Sequence, residues 1–138
     1  DDLGSRGLGD VYKRQDWYYP ILCGVYDADE SKKIIKDKWE NFVVPGLGCK
    51  CVEEEPWVTI AETCELILAL NKIGERKLAT SLYDDILNLK DKKDNLFWTG
   101  FVYKDHKHWP VEKPSWTAAA VILAANSLFE LNSNFDFF

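Results

Sequence analysis

The hydrophobic pattern of the chain divides it into five helical stretches of two kinds. Ile34, Ile35, Lys38, Trp39 and Phe42 fall on one side of 31–44, with Lys32, Lys33, Lys36, Asp37 and Glu40 largely on the other. Leu78, Leu82, Ile86 and Leu89 repeat at steps of four, four and three over 75–90. Both are one-faced amphipathic helices. The stretches 17–26, 59–73 and 116–131 are apolar on most sides, which predicts helices buried on most sides. The sequence places the most apolar of them, 116–131, at the centre of the fold.

Two of these apolar helices share one lead-in. Glu54, Pro56, Thr59 and Ala61 match Glu112, Pro114, Thr117 and Ala119 at a constant offset of 58 residues. Thr59 with Glu62 offers a capping box, and Gly74 a helix-ending residue. Between the helices, short links (27–30 and 74–75) alternate with long ones (45–56 and 91–114). Antiparallel neighbours on short links put both long links at one end. The breaker cluster Pro45-Gly46-Leu47-Gly48 opens one long loop. The other holds an aromatic segment, 97–110, predicted as a short β-hairpin or structured loop.

Composition narrows the function classes. The formal charge of −6 argues against a nucleic-acid partner, which requires a basic footprint. No apolar run reaches the ~18 residues of a membrane span. Cys23, Cys49, Cys51 and Cys64 form no disulfide framework, so the cytoplasm is the expected compartment. Ser5–Gln15 (SRGLGDVYKRQ) reads as an in-frame translation of a sequencing-adapter DNA, a mark of shotgun assembly. Residues 1–15 are accordingly set aside as a leader outside the fold. Residues 16–138 are expected to be the C-terminal part of one domain whose N-terminal hairpins are missing.

Asp16-Trp17-Tyr18-Tyr19-Pro20, Val44-Pro45-Gly46-Leu47-Gly48, Glu55-Pro56-Trp57-Val58-Thr59 and Trp109-Pro110-Val111-Glu112 resemble bacterial proteins of the prenyltransferase-like group. The resemblance implies an all-α fold, the α/α toroid of terpenoid cyclases, prenyltransferase β-subunits and six-hairpin glycosidases, with inner and outer helices alternating. It implies a protein binding an apolar or prenyl-type small molecule in an aromatic-lined cavity. The repeated Gln-Trp and Asp-rich motifs of cyclases and the zinc-binding signature of prenyltransferases are absent. Two other readings stand beside it: a six-hairpin glycosidase acting on a saccharide, and a non-catalytic helical binding scaffold.

The residues that could carry chemistry gather in the long loops. Glu54 and Glu112 precede equivalent helices and form the expected carboxylate pair for glycosidic hydrolysis; acids there also simply favour the helix dipole. Trp57, Trp98, Tyr103, Trp109 and Trp116 are the expected substrate-binding aromatics. His106 and His108, with Cys49 or Cys51, make a zinc site chemically allowed. Lys104 and Lys107 favour an exposed hairpin tip there instead, so no metal or cofactor is assigned. In 59–73, Glu62, Glu65 and Lys72 share one stripe, which in a toroid would look into the central cavity.

Overall fold

The computed structural model describes residues 15–131; the leader up to residue 14 and the tail 132–138 lie outside the described residues. A 3-10 turn, Gln15–Tyr18, runs into a one-turn helix α1, Tyr19–Leu22. Then follow α2 (Ala28–Phe42), β1 (Val43–Val44), β2 (Gly48–Lys50), β3 (Trp57–Thr59), α3 (Ile60–Lys72) and α4 (Arg76–Asn88). The chain ends in β4 (Gly100–Val102), β5 (Lys107–His108) and α5 (Ser115–Phe129).

The five strands form one antiparallel sheet in the order β1-β2-β3-β4-β5. This overturns the all-α toroid: the described residues make a mixed architecture of helices and an antiparallel sheet. The long loops 45–56 and 91–114 supply most of its strands. Segment 97–110 does form a hairpin, but β4 also pairs with β3, which places Val58 opposite Phe101 and Thr59 opposite Gly100. Each strand is only two or three residues long, so no strand carries an alternating pattern of its own, and the β3–β4 pairing joins segments far apart in sequence.

Helix ends follow local chemistry. The Asp27 carboxylate accepts the Glu30 N–H at 2.8 Å, so 27–30 is the cap and first turn of α2 rather than a connector. At the end of α3, Gly74 has φ +83°. The Gly74 and Glu75 N–H groups donate to the carbonyls of Asn71 and Leu70, a Schellman closure. The Thr59–Glu62 capping box does not form: the Thr59 hydroxyl is buried without a partner.

The central helix is α3, not α5. Cys64, Leu66, Ile67, Ala69 and Leu70 are fully buried, and α4, α5 and the sheet all pack on α3. Helix α5 is apolar all round yet covered on one side only. Val121, Ala124 and Leu128 are buried, while Ile122 and Phe129 are 58% and 51% exposed. Helices α3 and α5 run parallel. The Asn71 amide donates to the Ser127 carbonyl near their C-termini, and the Thr99 N–H, just before the strand paired with β3, donates to Glu112 ahead of α5. Both long connections therefore enter at the N-terminal ends of α3 and α5.

One side chain ties sheet to helix. The Thr63 hydroxyl donates to the Thr59 carbonyl at 2.6 Å and accepts the Cys49 N–H at 2.8 Å. A Cβ at Gly48 (φ +129°) would lie 2.7 Å from that hydroxyl oxygen, so only glycine lets β2 come this close. Thr63→Val keeps the shape and leaves the buried Cys49 N–H without an acceptor. We expect a loss of about 1–3 kcal/mol in chemical denaturation; a change within a few tenths would show that the bond is not needed.

Candidate functional site

The polar stripe of α3 faces the N-terminal segment. Lys72 donates from Nζ to the Leu22 carbonyl at 2.6 Å, closing the end of α1. One turn and more towards the N-terminus, Glu65 Oε2 accepts hydrogen bonds from the phenols of Tyr18 (2.7 Å) and Tyr19 (3.0 Å). The Tyr18 side chain is fully buried, held edge-on by Trp17 and Tyr19. A cavity of about 330 Å³ opens beside Glu65, walled by Tyr19, Leu22, Leu68, Trp116, Ala120 and Leu123. Its walls are mainly apolar with one carboxyl group among them, the usual make-up of a small-molecule pocket.

Its surroundings shift Glu65 towards holding its proton. Burial is the largest effect and raises the carboxyl above its ordinary range; Glu62 and Asp16 raise it further, while the two phenols pull it down. Removal from water disfavours the charged form, and like charges add to that. Burial, with Glu65 as neighbour, also pushes the Tyr18 and Tyr19 phenols upward, so they remain donors. Burial likewise raises the thiols of Cys49 and Cys64, next to the same acidic group.

The loop residues predicted from sequence divide among three places. Trp116 stands in the wall of the Glu65 cavity. Trp57 and Trp109 meet edge to face, centroids 5.2 Å apart, and the Trp57 indole N–H donates to the Trp109 carbonyl at 2.8 Å. Trp98 is stacked on His108 at 4.7 Å, with the Lys113 ammonium 4.2 Å from its ring centre. Lys113 also bridges Asp91 and Asp94, each at 2.6 Å, holding those carboxyls below and the ammonium above their usual ranges.

Tyr103 is half-buried beside the sheet, its N–H bonded to the Pro56 carbonyl. Glu54 is exposed. The exposed Glu112 accepts from the Thr99 hydroxyl at 2.9 Å. Among the described residues, no three His, Cys, Asp or Glu side chains are grouped to hold a metal. Cys49 lies on β2 and His108 on β5, three strands apart; His106 packs on Phe101, and the Cys51 thiol faces Glu62 at 4.0 Å. The shared stripe of Glu62 and Glu65 was the sequence signal for this cavity. Tyr18 and Tyr19 carried none, because their role depends on α1 folding back over α3.

No family model matches the sequence. The chain is 48% identical over 113 residues to an MMP endo-(1,4)-3-O-methyl-alpha-D-mannosidase of Mycolicibacterium hassiacum; the match spans 82% of this chain and 31% of that protein. The chain thus covers about a third of the length of the curated relative it matches. The resemblance to prenyltransferase-like proteins is corrected on two counts: the similar protein is named as a glycosidase, and the fold contains a sheet.

The raised Glu65 carboxyl makes a pH-dependent prediction. Its folded pKa lies above the unfolded value of about 4.3. Its contribution is therefore fully present below that pH and is lost as pH rises through the folded pKa. Glu65→Gln keeps an acceptor for both tyrosines and cannot ionise. The variant should gain melting temperature over the parent as pH goes from 4 to 8; a constant difference across that range would contradict the assignment.

Proposed function

We propose that the chain forms part of a glycoside hydrolase acting on an α-mannose-type saccharide, with Glu65 as its general acid. The observation that carries this is a carboxyl group whose proton affinity is raised by burial, set in a mainly apolar cavity walled by Tyr19 and Trp116, the direction of shift that suits a proton donor to a leaving oxygen. Glu65 gives its proton to the glycosidic oxygen. The C–O bond breaks with its electron pair going to that oxygen. Water forms the new bond to the anomeric carbon and yields its proton to a neighbouring carboxylate, Glu62 or Asp16. Trp116 and Tyr19 supply faces for the sugar ring. The similarity to the mannosidase supports the substrate class. Glu54 and Glu112 are exposed and do not line this cavity, so neither is assigned the acid role.

The four cysteines are free, which fits a reducing compartment, and we place the protein in the cytoplasm. Among the described residues, no helix is long and apolar enough to cross a membrane.

The exposed side of α5 supports a second proposal: another part of the full protein covers it. Phe129, Ile122 and Trp116 are each more than half exposed on a helix without a charged residue, an unusual outer surface for a soluble monomer. Residues 16–138 alone should self-associate, and Ile122→Lys should reduce this. Sedimentation as a dilution-stable monomer would refute the covering.

For the reaction, Glu65→Gln in the full protein should lower kcat on an α-(1,4)-mannose oligosaccharide by about 10²–10⁴-fold. Trp116→Ala should raise KM more than it lowers kcat. Full activity in Glu65→Gln would eliminate Glu65 as the acid.

A further inference from the structure

The two phenols beside Glu65 meet the same oxygen. Tyr18 donates to Oε2 at 2.7 Å and Tyr19 at 3.0 Å. A carboxyl oxygen with carbonyl character has two lone pairs, so these two bonds fill Oε2. Oε1 takes no hydrogen bond from a described residue. It is not sealed in either, since the buried polar side-chain atoms without a partner all lie elsewhere. The two tyrosines differ in what else they touch. Tyr19 stands in the cavity wall, whereas Tyr18 is fully buried and lines no part of it. Trp17 and Tyr19 hold the Tyr18 ring edge-on, at centroid distances of 5.5 and 5.2 Å.

Resting on the reading of Glu65 as general acid, we propose that Tyr18 is the positioning residue of that acid: with Tyr19 it occupies Oε2 and so places the transferable proton on Oε1. Only Oε1 is then free to meet a leaving oxygen. In the step, the Oε1–H bond breaks with its electron pair staying on the carboxyl group, and the proton goes to the glycosidic oxygen. The C–O bond breaks with its pair going to that oxygen. The new negative charge spreads to Oε2, where both phenols already donate. Hydrogen bonds to an ionised acceptor are roughly twice as strong as neutral ones, so the phenols ease the departure of the proton. The other titratable neighbours give no such help. They are Asp16 ahead of the phenols, Glu62 and Cys64 on α3, Cys49 on β2 and Cys23 in the cavity wall. Lys72, the cation of the same stripe, is engaged by the Leu22 carbonyl, and α5 brings no charged residue. Without the Tyr18 hydroxyl, Glu65 would hold its proton more tightly.

The test uses the full protein and two readouts: an infrared titration of the Glu65 carboxyl, and the pH dependence of hydrolysis of an α-(1,4)-mannose oligosaccharide. The Glu65 band is the carbonyl stretch that Glu65→Gln removes. Tyr18→Phe takes away only a hydroxyl. Tyr19→Phe does the same at a ring that is 37% exposed, where folding is least at risk. In both variants the band should titrate at higher pH than in the parent, because a donor to the charged form has gone. In Tyr18→Phe, kcat should fall about tenfold with KM unchanged, and the alkaline limb of kcat should move to higher pH. A role confined to packing would lower stability and move neither titration. A band that stays in place in both variants, or a Tyr18→Phe that changes KM with the limb unmoved, would overturn the positioning. Full hydrolysis in Glu65→Gln with a moved band would remove the acid reading and leave the proton on Oε1. Hydrolysis lost in Glu65→Gln with an unmoved band would remove the role of Tyr18 and leave the acid.

Discussion

The sheet and the first turn of α3 are joined through one hydroxyl. Thr63 closes back on Thr59 and at the same time receives the Cys49 N–H of the neighbouring strand. Both bonds are buried, where an unmade bond costs most. They fix β2 against the central helix, and they require glycine at position 48. Because Thr63 points into the sheet, Glu65, two positions on, is carried round to the other side of the helix, where it meets Tyr18 and Tyr19. The cavity thus inherits its position from a bond that takes no part in lining it.

The two main charge clusters of the molecule illustrate opposite uses of a carboxyl group. Asp91 and Asp94 meet Lys113 at the surface and stay ionised, fastening the 91–95 turn to the approach to α5. Water competes for such groups, and their effect on stability is small. Among the described residues no cation lines the cavity beside Glu65; it has two phenols, two other acids and apolar walls. Two neutral donors moderate the cost of burial without cancelling it. A lysine in place of Tyr18 would instead favour the ionised carboxylate.

Part of this was legible in the sequence. Heptad-like spacing placed α2 and α4, and the 58-residue offset identified two parallel helices with matching starts. Thr59 and Thr117, matched by that offset, are both buried at the starts of parallel helices. The sheet was not legible. Its strands are too short for alternation, and their partners lie up to some forty residues away, as Trp57 and Val102 do. Helix α5 misled because apolarity records what a helix can bury; among the described residues only one side of it is covered. The toroid rests on reading every apolar helix as an inner one and on a resemblance carried by short motifs such as Glu55-Pro56-Trp57-Val58-Thr59, which lie on strand β3 and its approach rather than in a helix.

The close approach of Gly100 to the Trp57 indole has a consequence for how this surface can change over generations. A Cβ at position 100 would collide with the Trp57 indole and the Val58 carbonyl. The backbone carbonyl is there whatever residue stands at 57, so a smaller side chain at 57 opens no place for one at 100. Since the Trp109 carbonyl accepts its hydrogen bond from that indole, drift at 57 loosens 109 with nothing to refill the space from 100. Across diverging descendants, position 100 should stay glycine while 57 and 109 change together.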